Sequence, residues 1–213
     1  NFFEFNERIN FDYKISSNHN FNLNVLFNYA HEQPKDDLAS KHAGFEVAGF
    51  PRKKISIVSG LTYESKLFSR KLTNMLSAKH YYLNSKIDDL TSYEISTPPK
   101  QKENTASQFG WIEALKYEPF NGFHLKASYQ RAIRLPNSKE LFGDGIITFP
   151  AAGLKPEKSH NFNLGFLIDK NNIFGISRLQ FEVNSFYMQV SDMIKLIHQH
   201  MAAGYVNAEK VNI

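Results

Sequence analysis

Cysteine is absent from the 213 residues, which excludes a disulfide scaffold, thiolate metal sites and cysteine nucleophiles. An oxidising compartment stays open, because a closed barrel removes its sheet edges without staples. No apolar run approaches the ~18 residues that a spanning helix needs, so a helical membrane protein is excluded too. Glycine and proline number 11 and 8, short of a collagenous or low-complexity composition. Charge of one sign is equally scarce. The 25 basic and 21 acidic residues leave a formal +4, spread along the chain without the dense basic stripe of a nucleic-acid reader. The mean hydropathy of −0.42 does not discriminate, since a transmembrane barrel alternates polar and apolar residues and averages out in the same way. The chain opens at Asn1 without a methionine or signal peptide and stops at Val211-Asn212-Ile213, which reads as mid-strand. Both ends are therefore expected to be internal to a longer protein.

What the chain does have is a period of two. Ile9, Phe11, Tyr13 and Ile15 alternate with Arg8, Asn10, Asp12 and Lys14. Successive side chains of a strand point to opposite faces, so one face is greasy and the other charged. After the turn-forming Ser16-Ser17-Asn18-His19, the pattern returns: Phe21, Leu23, Val25, Phe27 and Tyr29 oppose Asn20, Asn22, Asn24 and Asn28, with Leu26 the exception. Asparagine is poor in strands, and four on one face argue that this face is wet. Ile55, Ile57, Leu61 and Tyr63 oppose Ser56, Thr62 and Glu64, with Val58 breaking the polar side. Leu76–Asn84 is strand-like with an ambiguous register, and Glu113 interrupts Phe109, Trp111, Leu115 and Tyr117. Phe123, Leu125, Ala127 and Tyr129 follow, then Phe162, Leu164, Phe166 and Ile168, then Leu179, Phe181, Val183 and Tyr187. About eight strands are predicted, with a ninth beginning near Tyr205.

The connections alternate in length. Ser16–His19, Lys66–Lys71, Glu118–Gly122 and Asp169–Gly175 are short, whereas Glu32–Arg52, Ser85–Ser107 and Arg131–Lys158 are long. A compact domain rarely needs loops beyond ~15 residues. One end of the sheet is trimmed and the other elaborated, as in outer-membrane barrels. Many runs also reach the ~10 residues that a tilted strand needs to cross a bilayer. The fold class that follows is all-β, an antiparallel up-and-down transmembrane barrel segment, expected as an open curved sheet. Phe21, Leu23, Val25, Phe27, Leu125, Phe162, Leu164, Phe166 and Phe181 are expected to face lipid. Tyr13, Tyr29, Tyr63, Tyr117, Tyr129 and Tyr187 cluster toward strand ends, where barrels carry interfacial aromatics. Two other readings stay open at this point: a complete eight-stranded barrel of structural or adhesive role, and a soluble β-sandwich binding module.

Tyr129 to Phe166 reads YQRAIRLPNSKELFGDGIITFPAAGLKPEKSHNFNLGF. It resembles the barrel of TonB-dependent outer-membrane receptors, in which a strand ends in Arg-x-Pro, an Glu-Leu-Phe-Gly opens an extracellular loop, and Leu-Lys-Pro-Glu-x-Ser leads into the next strand. The matching residues are Arg134, Pro136, Glu140, Leu141, Phe142 and Gly143, then Leu154, Lys155, Pro156, Glu157 and Ser159. The resemblance implies a barrel of about 22 strands with a plugged lumen, lodged in the outer membrane of a Gram-negative-type cell. It implies a parent that binds a scarce solute, such as a siderophore–iron complex, haem, cobalamin or a glycan, and imports it with energy supplied through TonB. Residues 1–213 contain neither a recognisable plug domain nor a TonB-contacting box, so an internal piece of the barrel is expected. Its partners would be outer-membrane lipid, its own plug and the remaining strands, and TonB by way of that plug.

Pro136 cannot donate to a ladder and is expected to end its strand, and Pro156 to preset the next. Glu140 or Glu157 is expected to pair with Arg134 or Arg131 and fix the loop root. Arg131, Arg134 and Lys155 are the basic candidates for contact with an anionic ligand. His198 and His200 have metal-compatible spacing without the third or fourth partner that zinc requires. Asp36-Asp37 and Asp88-Asp89 read as solvated loop charge. Gly143-Asp144-Gly145 reads as a turn with no helix following to make a phosphate cradle. No nucleophile-elbow or acid–base pattern emerges, so neither an enzyme nor a cofactor site is predicted.

Overall fold

The computed structural model describes residues 1–34, 51–89, 100–143, 148–173, 175–199, 202–208 and 211–212. Their strands are β1 (Phe2–Ser16), β2 (His19–Glu32), β3 (Arg52–Leu67), β4 (Leu72–Asp89), β5 (Lys100–Phe120) and β6 (Phe123–Arg134). A short helix α1 (Ser138–Phe142) and β7 (Thr148–Phe149) precede β8 (Glu157–Ile173) and β9 (Ile176–Ser191). A hairpin of β10 (Met193–Gln199) and β11 (Ala202–Ala208) leads to β12 (Val211–Asn212). The main sheet has the order β1-β2-β3-β4-β5-β6-β8-β9-β12, and its eight long strands run antiparallel, up and down. Among the described residues β1 pairs with β2 alone and β9 with β8 and β12, so the sheet is not closed. A closed eight-stranded barrel would need β1 hydrogen-bonded to β9.

Register assigns every position to a face, because directly opposed residues point to the same side. Phe11↔Leu23↔Leu61↔Ala78↔Trp111 is one such row. Leu125↔Phe166↔Val183 is another, toward the far edge. These and their period-two relatives form a belt face. It carries Phe21, Leu23, Val25, Phe27, Leu125, Phe162, Leu164, Phe166 and Phe181 together. Leu164 is 67% exposed, and Leu23, Leu125, Phe162 and Phe181 are exposed as well. Glu7 and Glu113 interrupt the belt face; Asn74 hydrogen-bonds Glu113 there. The opposite, polar face carries the asparagine ladder: Asn22 donates to Asp12 (2.8 Å), and Asn24 hydrogen-bonds Asn10. The ambiguous β4 resolves with Leu72, Leu76, Ala78 and Tyr82 on the belt face.

The six tyrosines all lie on the belt face and differ in position along their own strands, while Tyr13, Tyr63, Tyr129 and Tyr187 share one cross-strand row. Tyr13, Tyr63 and Tyr117 lie toward the short turns, and Tyr29, Tyr129 and Tyr187 toward the long connections. Among the described residues, the buried cluster on the polar face lies at the long-loop end. There Ala30, Leu83 and Ile87 are buried beneath Leu141, Phe142, Ala152, Leu154 and Ile194.

Three expectations about boundaries change. The connection read as Ser85–Ser107 narrows to residues 90–99, because β4 and β5 stay paired from Lys86↔Glu103 to Asp89↔Lys100. Both faces there are polar or lie under loops, so no greasy alternation marks the strand. Tyr205 belongs to β11 in a separate three-stranded sheet, β10-β11-β7, and the ninth member of the main sheet is the two-residue β12. The long connection after β6 contains a helix, encoded by Asn137 and Glu140 as a reciprocal cap. No helix among the described residues is long and apolar enough to cross a membrane.

Candidate functional site at the root of the long loops

The family-like motif converges on one ion-paired knot. β6 ends at Arg134, one residue before Leu135-Pro136, and β8 begins at Glu157 directly after Pro156; each proline thus borders a strand that it cannot extend by donation. Arg134 and Glu157 are the last cross-strand pair of these two strands. The Arg134 guanidinium donates to Glu140 Oε1 and Oε2 at 2.9 and 3.1 Å, and to Glu157 Oε2 at 3.1 Å. Glu157 Oε2 also accepts from the Ile194 backbone N–H at 3.0 Å, which ties in β10.

Glu140 is the centre of the knot. It is 8% exposed, and besides Arg134 its Oε2 accepts from Asn137 N–H at 2.8 Å, while its own N–H donates to Asn137 Oδ1 at 2.8 Å. Two orphan donors at the start of α1 are thereby satisfied. A buried carboxylate is costly unless paired and hydrogen-bonded, and this one is both.

A second anchor reaches α1 from the first three strands. Ser138 Oγ donates to Glu4 Oε1 (3.2 Å), and Asn28 donates to Glu4 and to Asn6 Oδ1 at 2.7 Å each. The buried Lys54 stands in the electrostatic reach of Glu4 and Glu140. Arg52, also buried, donates to the Phe142 carbonyl at 2.8 Å and to Glu32 at 3.0 Å. Phe142 is 1% exposed and meets Phe2 edge-on at 6.5 Å. The 135–156 connection is thus folded onto the polar face of the wall. Asn207 clips the hairpin to it, accepting from Lys155 N–H (2.8 Å) and donating to the carbonyls of Lys155 (3.0 Å) and Asp192 (2.7 Å).

The three basic candidates do not converge. Arg134 is held by two carboxylates, and Arg131, three residues earlier, lies on the belt face opposite Trp111 and His160. Lys155 is exposed beside the hairpin. Leu141, Phe142 and Leu154 are buried cap residues and Ser159 continues the β8 ladder opposite Ala132; Gly143 closes α1 at φ 75°, its N–H donating to the Lys139 carbonyl. Asp36-Asp37, Asp144-Gly145 and His200 lie outside the described residues, as do the side chains of Asp88 and Asp89, and no group of three metal-capable side chains assembles among the described ones. Arg52, Asn137 and Asn207 escaped the sequence reading. Asn137-x-x-Glu140 carried a capping signal, whereas nothing local marks the other two.

A strand-ending arginine is thus knotted to two glutamates over an antiparallel wall with an exposed apolar belt. A family model described as TonB dependent receptor-like, beta-barrel, matches residues 82–212. The chain belongs to the TonB-dependent receptor family.

Solved structures with this fold include the copper transporter OprC, with TM-score 0.72 and 12% identity over 98% of this chain and 33% of that one. The FrpB iron transporter of Neisseria meningitidis (F5-1 variant) has TM-score 0.70 and 14% identity over 99% and 32%. A double mutant of the Serratia marcescens hemophore receptor HasR, in complex with its hemophore HasA and heme, has TM-score 0.60 and 15% identity over 99% and 38%. At such identities the likeness establishes the fold alone. The chain spans about a third of the length of these solved structures. No curated protein sequence matches.

Proposed function

We propose that this chain is part of the barrel wall of an outer-membrane receptor that binds a scarce solute and imports it with energy delivered through TonB. The observation that carries the reading is the division of one continuous sheet into two surfaces. The belt face exposes large apolar side chains, and the polar face bears hydrogen-bonded asparagines and carries the folded-in loops. An exposed apolar band of this extent is stable in hydrocarbon and is an aggregation hazard in water. Strands of 14 to 21 residues (β2 and β5) exceed the ~10 that a tilted strand needs to cross, leaving their long-loop ends outside the bilayer.

In this reading the missing pairing partners of β1 and β9 are further strands of the same chain, and a plug domain fills the lumen against the polar face. The knot at Arg134 keeps the 135–156 connection fixed on the lumen side, where it narrows the mouth through which solute enters. The relatives named above handle iron, copper and heme, and the candidates here are a siderophore–iron complex, haem, cobalamin or a glycan.

The test is deletion of the intact gene, followed by growth and radiolabelled uptake on each of these as sole source. Loss of uptake for one class, restored by the gene and abolished by collapsing the inner-membrane energy supply, supports the proposal. Unimpaired uptake of every class overturns it.

A further inference from the structure

The long-loop margin of the belt face carries a histidine and two lysines in one row, with no hydrogen bond or ion pair of their side chains among the described residues. His31, Lys53 and Lys86 follow one another across β2, β3 and β4 as directly opposed residues. Each stands just past the apolar stretch of its own strand, beyond Tyr29, Ile55 and Tyr82 respectively. Like charges directly opposite each other on a sheet repel, and the ammonium groups of Lys53 and Lys86 make no hydrogen bond or ion pair among the described residues. Both are exposed. Their sequence neighbours behave differently: Arg52 and Lys54 turn to the polar face and are buried there among carboxylates. The one acid in the row is Glu103, opposite Lys86, and it accepts from Asn84 at 2.8 Å. It offsets one of the two ammonium charges. At the opposite, short-turn margin the belt face has no such pair; Lys170 there lies over the Phe120 ring at 5.6 Å.

We propose that Lys53 and Lys86, with His31 beside them, bind the phosphate of a lipid headgroup in the leaflet on the long-loop side. This rests on the reading of the belt as the lipid contact. Directly opposed residues have Cβ atoms roughly 5 Å apart, so two flexible stems rising from the greasy wall straddle one anion. A lysine stem covers apolar surface while its head reaches the polar layer, and an ammonium meets phosphate as a compact point charge with rotatable donors. The phosphate relieves the Lys53–Lys86 repulsion that Glu103, the one acid in the row among the described residues, offsets only in part. Position selects the source. The pair lies at the end of the hydrocarbon-facing stretch, where headgroup phosphates of a bilayer are concentrated and free phosphate is not.

The experiment is native mass spectrometry of the full-length receptor in non-ionic detergent, titrated with a bis-phosphorylated glucosamine lipid or its dephosphorylated form. The wild type should retain the phosphorylated lipid, and Lys53→Gln/Lys86→Gln should bind it about tenfold more weakly or worse, as expected for two charged contacts. Lys53→Arg/Lys86→Arg should retain binding, which separates charge from folding. Equal binding by the Gln variant overturns the proposal. So does equal binding of the dephosphorylated lipid, or displacement by inorganic phosphate at concentrations equal to the lipid. A parallel measurement, quenching of Phe27→Trp fluorescence by brominated acyl chains, isolates the underlying reading. Quenching with unaltered lipid binding sinks the headgroup site alone; absence of quenching sinks the belt as lipid contact and the site with it.

Discussion

Leu26 and Val58, the two apolar residues that break the polar faces of their strands, lie directly opposite each other. Val58 in turn opposes Tyr81 of the next strand, so the breaks in pattern adjoin one another across three strands on the polar face. Cross-strand apolar pairs contribute roughly 0.2–1 kcal/mol each. A double-mutant cycle on Leu26→Ala and Val58→Ala, read by urea unfolding of the reconstituted receptor, should give a coupling of about 0.5 kcal/mol. A cycle on Leu26 with the distant Val183 should give none.

The Arg134 knot makes unequal demands on its members. Arg134 is 43% exposed at its side chain, so solvent screens its pairs and their loss costs on the order of 1 kcal/mol. Glu140 is buried, caps α1 and offsets Lys54 as well as Arg134. Glu140→Gln therefore leaves charges uncompensated and should cost about 2–3 kcal/mol locally. Hydrogen exchange across 135–156 should accelerate far more in Glu140→Gln than in Arg134→Gln. Equal acceleration would show that the two act only as an exposed pair.

How far the sequence reaches is visible at these two places. Period two placed the strands, alternating loop lengths oriented them, and the pairing of Arg134 with a nearby glutamate was legible from the motif. Leu26 and Val58 looked like noise, because cross-strand register is a long-range property that neither strand carries alone. Arg52 was silent for the same reason: its partner, the Phe142 carbonyl, is 90 residues away. The ends of β4 and β5 went unseen because alternation reports burial on one side, and above the belt both sides are polar. The helix α1 was missed although Asn137-x-x-Glu140 signalled it, since five residues are too few to show helical period.

Phe142 should hold the loop to the wall chiefly by packing. Its ring is buried against a cluster that includes Ala30, Leu83 and Ile87, and truncation of a buried phenylalanine typically costs about 3–5 kcal/mol. Phe142→Ala should release the cap without unfolding the sheet. Limited proteolysis should cut within 135–156, while the strands stay protected.

The short turn at Gly122 is the least tolerant. Gly122 has φ 75°, its carbonyl accepts from Asp169 N–H at 2.7 Å, and an added Cβ would run into the Asp169 carbonyl. Left-handed backbone costs an L-residue about 1–2 kcal/mol before that collision is counted. Gly122→Ala should lower the thermal midpoint by several degrees, whereas Ser17→Ala at the β1–β2 turn should leave it unchanged. A wild-type midpoint for Gly122→Ala would mean that β6 and β8 separate there at no cost.

The two faces themselves are tested by one pair of neighbours. Leu125 and Lys126 are consecutive on β6 and point to opposite sides, Leu125 toward Phe166 and Tyr117, Lys126 toward Glu182, to which it donates at 2.7 Å. If hydrocarbon wets the belt, Leu125→Arg places a guanidinium in lipid three residues from the short turn at Gly122, at a cost of about 1–2 kcal/mol, between the interface and midplane values. Lys126→Leu removes an exposed ion pair worth under about 1 kcal/mol and leaves the lipid contact intact. Urea unfolding in phosphatidylcholine vesicles should therefore show a larger loss for Leu125→Arg than for Lys126→Leu. The order should vanish in a short-chain detergent, where water reaches the belt. Equal losses in vesicles would mean that both faces see the same solvent, and neither the membrane reading nor the headgroup site beside Lys53 would survive that result.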